Sequence, residues 1–237
     1  MKRLPALVFT AVILTFFSKT IFAFDVVTKT YDFKDFSKVE VSSGMVLTVT
    51  QSNSYSVEVK IDSNDLKHFR AEQKGDKVEF YLKNNFFSFF GYRHGRIEVN
   101  IKMPALTGVE LSGGAFGNIT MDISSKNFSS ELSGGAKLHG NLTCGNSRLD
   151  LYGGSRVNIK GEANNLRIEG SGGSTFDLKD LSVNNVDTEL SGGTHATVTM
   201  NGILNADQSG GSRLTYYGKA TLGKTDFSGG SGISKGN

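Results

Sequence analysis

The sequence predicts an all-β protein, a single-stranded parallel β-helix (β-solenoid) with an N-terminal strand-rich cap. Three observations predict it: glycine pairs recur at a near-constant interval, the residues around them alternate with the period of a strand, and equivalent positions carry the same residue type from unit to unit.

The glycine pairs begin at Gly113, Gly134, Gly153, Gly172, Gly192, Gly210 and Gly229, at intervals of 21, 19, 19, 20, 18 and 19 residues. Their surroundings repeat as VELSGGAFG, SELSGGAKL, LDLYGGSRV, IEGSGGSTF, TELSGGTHA, ADQSGGSRL and TDFSGGSGI, with an imperfect earlier copy, VEVSSGMVL, from Val39 to Leu47. Two residues before each pair stand Leu111, Leu132, Leu151, Gly170, Leu190, Gln208 and Phe227, a column that reads as inward-facing. A small residue follows each pair (Ala115, Ala136, Ser155, Ser174, Thr194, Ser212, Ser231), then a second apolar column that includes Leu138, Val157, Phe176, Leu214 and Ile233. Glycines at a fixed interval mark bends that need backbone angles closed to other residues. The same interval would break helices at about 1 kcal/mol per glycine. A sandwich gives no reason for identical corners, whereas a solenoid buries each coil on the next.

Seven residues before the pair, Asn127, Asn146, Asn165 and Asn185 form a column in four consecutive units. Asparagine tolerates the left-handed conformation of a tight corner, and stacked amides can hydrogen-bond from coil to coil. Ile203 and Leu222 hold the equivalent places afterwards.

The organisation reads as a signal peptide over residues 1–23, a β-rich cap over 24–105 and the repeats over 106–237, cap and repeats forming one continuous domain. Lys2 and Arg3, the apolar run Leu4 to Phe17 and the small residue Ala23 have the order of a cleavable leader. The run is short of the ~20 residues that cross a bilayer, and no later stretch reads as a span. The leader therefore predicts export: periplasmic, outer-surface or secreted. In the cap, Tyr55 to Ile61, Val78 to Lys83 and Ile97 to Met103 read as strands, and Asp65 to Ala71 as a short helical turn. The repeats continue to Ser-Lys-Gly-Asn, an end that is either polar enough to stand alone or a place that docks something.

Together the strand-rich start, the junction IEVNIKMPALTGVELSGGA and repeats such as ELSGGAKL and IEGSGGST resemble the putative autotransporter adhesin, head GIN domain family. That family comprises exported bacterial proteins, largely of unknown function. The resemblance covers nearly all of the chain after the leader. It implies a right-handed β-helical fold and no known enzymatic activity.

Two candidate sites stand out. Three residues before each pair, Glu110, Glu131, Asp150, Glu169, Glu189, Asp207 and Asp226 form an all-acidic column that should stack as one outward stripe. Like charges ~4.8 Å apart repel by roughly 1 kcal/mol in water. A divalent cation or basic partner could offset this, as could plain solvation with local pairing to Arg148, Arg167 and Lys224, which precede three of the acids by two residues; the latter is the expectation, with no metal and no cofactor. The second candidate is Phe86, Phe87, Phe89, Phe90, Tyr92 and Arg93 between two strands, an aromatic cluster that either contacts a partner or folds back over the solenoid core.

Other chemistry is poorly represented. The net charge of +3 leaves no basic surface for nucleic acid. Cys144 is a lone thiol, which forms neither an internal disulfide nor a zinc site. GGSTFD lacks the glycine of calcium-binding G-G-x-G-x-D repeats, with Thr175 in its place. His68, His94, His139 and His195 occupy unrelated positions, and coils of about 19 residues leave little loop for a cleft. The expectation is a non-catalytic envelope or secreted adhesin-like binding module for a glycan, cell surface or envelope protein. The alternatives are a structural protein that self-assembles through its solenoid ends and, behind it, a polysaccharide-active enzyme.

Overall fold

The computed structural model of the chain describes residues 25–83 and 95–237. The leader and the aromatic segment Phe86 to Arg93 lie outside the described residues. The described residues are strand, turn or irregular; among them there is no helix, and so none long and apolar enough to cross a membrane.

The strands are β1 (Val26–Tyr31), β2 (Lys38–Val41), β3 (Val46–Gln51), β4 (Ser56–Asp62), β5 (Phe69–Lys74), β6 (Lys77–Leu82), β7 (Glu98–Met103), β8 (Gly108–Leu111), β9 (Phe116–Leu132), β10 (Lys137–Leu151), β11 (Arg156–Gly170), β12 (Thr175–Leu190), β13 (His195–Met200), β14 (Ile203–Gln208), β15 (Arg213–Gly218), β16 (Thr221–Phe227) and β17 (Gly232–Lys235). They form a β-solenoid of about seven turns. Strands β9 to β12 run through the coil corners without losing coil-to-coil pairing, which is why they reach 15–17 residues. Register shifts at these corners absorb the one- and two-residue differences in repeat length, one residue between Asn158 and Gly161 and two between His139 and Asn141.

Pairing between coils is parallel and sets like opposite like: Leu132 on Leu151, Asn127 on Asn146, Asn146 on Asn165. The early copy at Val39–Leu47 is a genuine coil, β2 lying parallel to β8 and β3 parallel to β9. Its turn places Ser43 at φ 60°, the left-handed position that a glycine fills in later coils.

The Gly-Gly pairs close tight turns; in four of them the N–H after the pair bonds back to the carbonyl of the serine before it: Ala115 to Ser112, Ala136 to Ser133, Thr194 to Ser191 and Ser212 to Ser209. The first glycine of every pair has φ between 56° and 69°. A Cβ on Gly134, Gly153, Gly172 or Gly192 would lie 3.1–3.3 Å from the backbone nitrogen of the glycine one coil earlier, so this column is closed to side chains twice over. The second glycine of the first four pairs has positive φ but open space around its Cβ position. The small residue after the pair is buried in every turn but the last, where Ser231 is half-buried; where it is Ser or Thr, its hydroxyl donates to a nearby backbone carbonyl, as in Ser155 to Tyr152 (2.8 Å) and Ser174 to Ser171 (2.9 Å).

The inward columns are as the alternation predicts, and their exceptions have reasons. Gly170 replaces a leucine because a Cβ there would sit 2.6 Å from the Phe176 ring and 2.8 Å from the Thr194 methyl; the glycine makes room for the phenylalanine. Gln208 takes a leucine place with its amide buried and unpartnered at both ends.

The asparagine column is a ladder: Asn146 donates to Asn127 (2.9 Å), Asn165 to Asn146 (2.9 Å) and Asn185 to Asn165 (3.0 Å). Where the column gives way to Ile203, that residue's backbone N–H takes over and donates to Asn185 (3.1 Å). The left-handed backbone expected of these asparagines is not found, since only Asp35 and Ser43 among the described non-glycine residues have positive φ. The amide, not the corner conformation, accounts for the residue.

In the cap, β1, β4 and β7 form an antiparallel layer that continues into β3, and the hairpin β5–β6 continues into β2. The helical turn expected at Asp65 to Ala71 is reduced to hydrogen-bonded turns, with the N–H groups of His68 and Phe69 both donating to the Asp65 carbonyl, because Phe69 to Ala71 pair with β6 as the start of β5.

Two outcomes follow, both read by chemical denaturation. Gly172→Ala should destabilise more than Gly173→Ala, which bears only the ~1–2 kcal/mol left-handed penalty; equal losses would mean the backbone contact is unimportant. Gln208→Leu should stabilise by roughly 1–3 kcal/mol by removing a buried, unsatisfied amide; an unchanged midpoint would show that the amide is satisfied in solution.

Candidate functional site

The parallel register carries one face of the solenoid, the face that precedes each glycine turn, as a lattice of four outward columns. In chain direction these are the asparagines, a mixed column holding Ser129, Arg148, Arg167, Asp187 and Asn205, the acids, and a Ser/Tyr column holding Ser133, Tyr152 and Ser171.

All seven acids predicted from the repeat stand in one column: Glu110 beside Glu131, then Asp150, Glu169, Glu189, Asp207 and Asp226. The column is longer than the glycine period indicates. Glu40 pairs with Glu110, Glu79 with Glu40 and Glu72 with Glu79, which adds three carboxylates from the cap. Glu40 was detectable, since it stands three residues before the left-handed Ser43 of the early copy. Glu72 and Glu79 were not, because their hairpin has no glycine pair.

Four cations offset the repulsion. Lys77 contacts Glu40 (2.6 Å), Glu110 (3.3 Å) and Glu79 (3.4 Å), and its hydrogen bond to Glu40 raises its pKa. Lys74 contacts Glu79 (2.6 Å) and Glu72 (3.7 Å). Arg148 bridges Asp150 (2.8 Å) and Glu169 (2.9 Å), and Arg167 bridges Glu169 (2.9 Å) and Glu189 (2.6 Å). Each arginine thus reaches from its own coil to the next, a fork suited to two carboxylates.

The offset is uneven. Burial pushes the Glu110 and Asp150 carboxyls above their ordinary range against the pull of Lys77 and Arg148. One Asp150 oxygen accepts from Arg148 while the other is buried without a partner. Glu131, Asp207 and Asp226 have no ion pair among the described residues, nor does Lys224, although it precedes Asp226 by two residues. No group of three or more His, Cys, Asp or Glu among the described residues is placed to hold a metal ion.

Open depressions flank the stripe. One of about 510 Å³ is lined by the asparagine ladder with Lys38, Ser129, Arg148 and Arg167. A second, about 360 Å³, shares Arg167 and Asp187 with it and continues over Glu189, Asn205 and Asp207 to Lys224 and Asp226. A third, about 260 Å³, lies on the other side of the acids beside Tyr152, Ser171 and Ser191. Another depression, about 580 Å³, lies at the corner that contains Cys144, whose thiol burial pushes up to about 11, well away from a reactive thiolate.

Residues 35–220 match the family described as "Putative auto-transporter adhesin, head GIN domain". Among solved structures, a putative adhesin from Bacteroides fragilis NCTC 9343 is 17% identical with a TM-score of 0.81, the match covering 90% of this chain and 98% of that one. A putative adhesin from Parabacteroides merdae ATCC 43184 is 15% identical with a TM-score of 0.66, covering 90% and 96%. A putative lipid binding protein from Parabacteroides distasonis ATCC 8503 is 16% identical with a TM-score of 0.64, covering 90% and 97%. At these identities the likeness is one of fold. No curated protein matches the sequence.

Because each arginine holds two acids while Glu131 holds none, Arg167→Gln should lower the unfolding midpoint and Glu131→Gln should raise it. Both shifts should shrink as salt is added. A destabilised Glu131→Gln variant would mean that the stripe is not limited by its own repulsion.

Proposed function

The chain belongs to the putative auto-transporter adhesin, head GIN domain family, and from that premise we propose that it is an exported, non-catalytic, adhesin-like module whose polar groove binds a glycan. The observation that carries this reading is the pair of adjoining depressions that share Arg167 and Asp187 and together extend from Lys38 past Arg148 to Asp226. Its walls present amides, guanidinium groups, carboxylates and hydroxyls at regular intervals, about 4.8 Å apart from coil to coil. Such a surface offers paired donors and acceptors for hydroxyl-rich chains and is already rigid, so little ordering entropy opposes binding. Tyr152 adds an aromatic face beside the acids. An acyl chain would need an enclosed apolar pocket, whereas the depressions on this face are open and carry amide, guanidinium or carboxylate side chains along their length. The regular lattice also suits a polymer more than a single small molecule, because a repeating ligand can engage several coils at once.

The test is a binding titration against a panel of envelope and host glycans. Wild type should bind at least one saturably. Ser129→Trp, which places a bulky ring at an exposed position in the groove, should abolish that binding, while Lys137→Trp on another face should not. No binding by wild type, or equal binding by both variants, would overturn the assignment. Release of reducing or unsaturated sugar ends would overturn the non-catalytic part.

A further inference from the structure

The solenoid's two ends differ. At the N-terminal end the antiparallel layers of the cap close over the first coils. At the other end, β16 pairs only with β14 and β17 only with β15, so each presents an edge with no partner among the described residues. The core columns come to the surface there. Leu222 stands over buried Leu204 and is 53% exposed; Phe227 stands over buried Gln208 and is 43% exposed; Ile233 stands over buried Leu214. Unpaired edge and exposed core in one place are what pairing with another strand would cover.

The outward side of the same edge says which strand fits. Upstream, Arg148 and Arg167 each hold two acids, but Lys224 and Asp226 on β16 form no ion pair among the described residues. In an antiparallel pair centred on Thr225, Lys224 lies opposite Asp226 of an identical strand, and Asp226 opposite its Lys224. Thr225 meets Thr225 on the inward side, and Phe227 comes against Gly223. The strand is self-complementary in charge and shape only with its own reverse, which is the condition for a closed two-fold interface. A two-fold axis along the sheet normal keeps outward residues outward, so the core of one copy would run on into the other.

We infer that the C-terminal edge formed by β16 and β17 is the interface of a tail-to-tail homodimer, locked by two reciprocal Lys224–Asp226 pairs. The arrangement would place two groove-bearing faces in line along one axis.

Sedimentation equilibrium of the purified protein tests it, with thermal unfolding as the control for folding. Wild type should show a concentration-dependent dimer, roughly twice as long as the monomer by small-angle scattering. Lys224→Glu alone and Asp226→Lys alone each put two like-charge pairs in the interface and should weaken dimerisation at least about tenfold. An equimolar mixture of the two variants should recover it as a heterodimer, because both cross-pairs are again opposite in sign. The double variant should recover the homodimer. A wild type that stays monomeric at all concentrations would overturn the inference, as it would if the edge is covered by another segment or partner. So would single variants that dimerise like wild type, or a mixture that fails to recover.

Discussion

Everything in this molecule depends on in-register parallel pairing between coils. Once a coil lies on its predecessor with equivalent positions opposite, each residue is repeated against its own kind at the strand spacing of about 4.8 Å. The glycine column is the strictest consequence. The first glycine of each turn is left-handed, and at Gly134, Gly153, Gly172 and Gly192 the preceding turn's backbone lies within 3.1–3.3 Å of where a Cβ would be, so one side chain there would push two coils apart. The buried Ser and Thr hydroxyls that bond back into the turns, and the asparagine amides that bond onward to the next coil, are the favourable side of the same rule: a group that is both donor and acceptor stacks well on itself.

Carboxylates are the unfavourable side, since an ionised acid accepts only. A column of ten of them persists because cations are inserted from the neighbouring outward column. Those cations work between coils as well as within them. Arg148 and Arg167 therefore link neighbouring turns, and the stripe becomes an alternating lattice over its middle coils. The lattice is incomplete at Glu131 and at Asp207 and Asp226. That leaves Asp207 and Asp226 as carboxylates without an ion pair among the described residues, in the depression that also holds Arg167 and Lys224.

The periodic part of this architecture was legible because a parallel solenoid writes its contacts at a constant sequence offset. Gly172 over Gly153, Asn165 over Asn146 and Glu169 over Asp150 are all 19 apart, so alignment of the repeats is already a contact map. The cap obeys no such offset. Glu79 meets Glu40 across 39 residues and Glu72 across seven, and the antiparallel strands β1 and β5 leave only generic alternation behind. The ladder was legible but its cause was misassigned, since asparagine's two properties, a tolerant backbone and a self-complementary amide, predict the same letter. The exceptions needed coordinates. Gly170 is a glycine because Phe176 fills its space, and Gln208 has no partner that sequence could reveal. The aromatic cluster from Phe86 to Arg93 lies outside the described residues.

The same register rule explains why the two ends cannot be treated alike. A coil is stable because it has a neighbour on each side, so the terminal coils must find a substitute. At the N-terminal end, the substitution is made by reversing direction: β4 and β5 run antiparallel to the strands they cover, which breaks the repeat and lets Lys74 and Lys77 close the acid column. At the opposite end, the repeat continues to the last described strand. Leu222 and Phe227 keep their inward places with little above them, and Lys224 has entered the cation column without an acid to bridge. An antiparallel strand is what ended the ladder at the first end. At the second, the strand whose charges and apolar residues best meet those requirements is β16 itself, reversed.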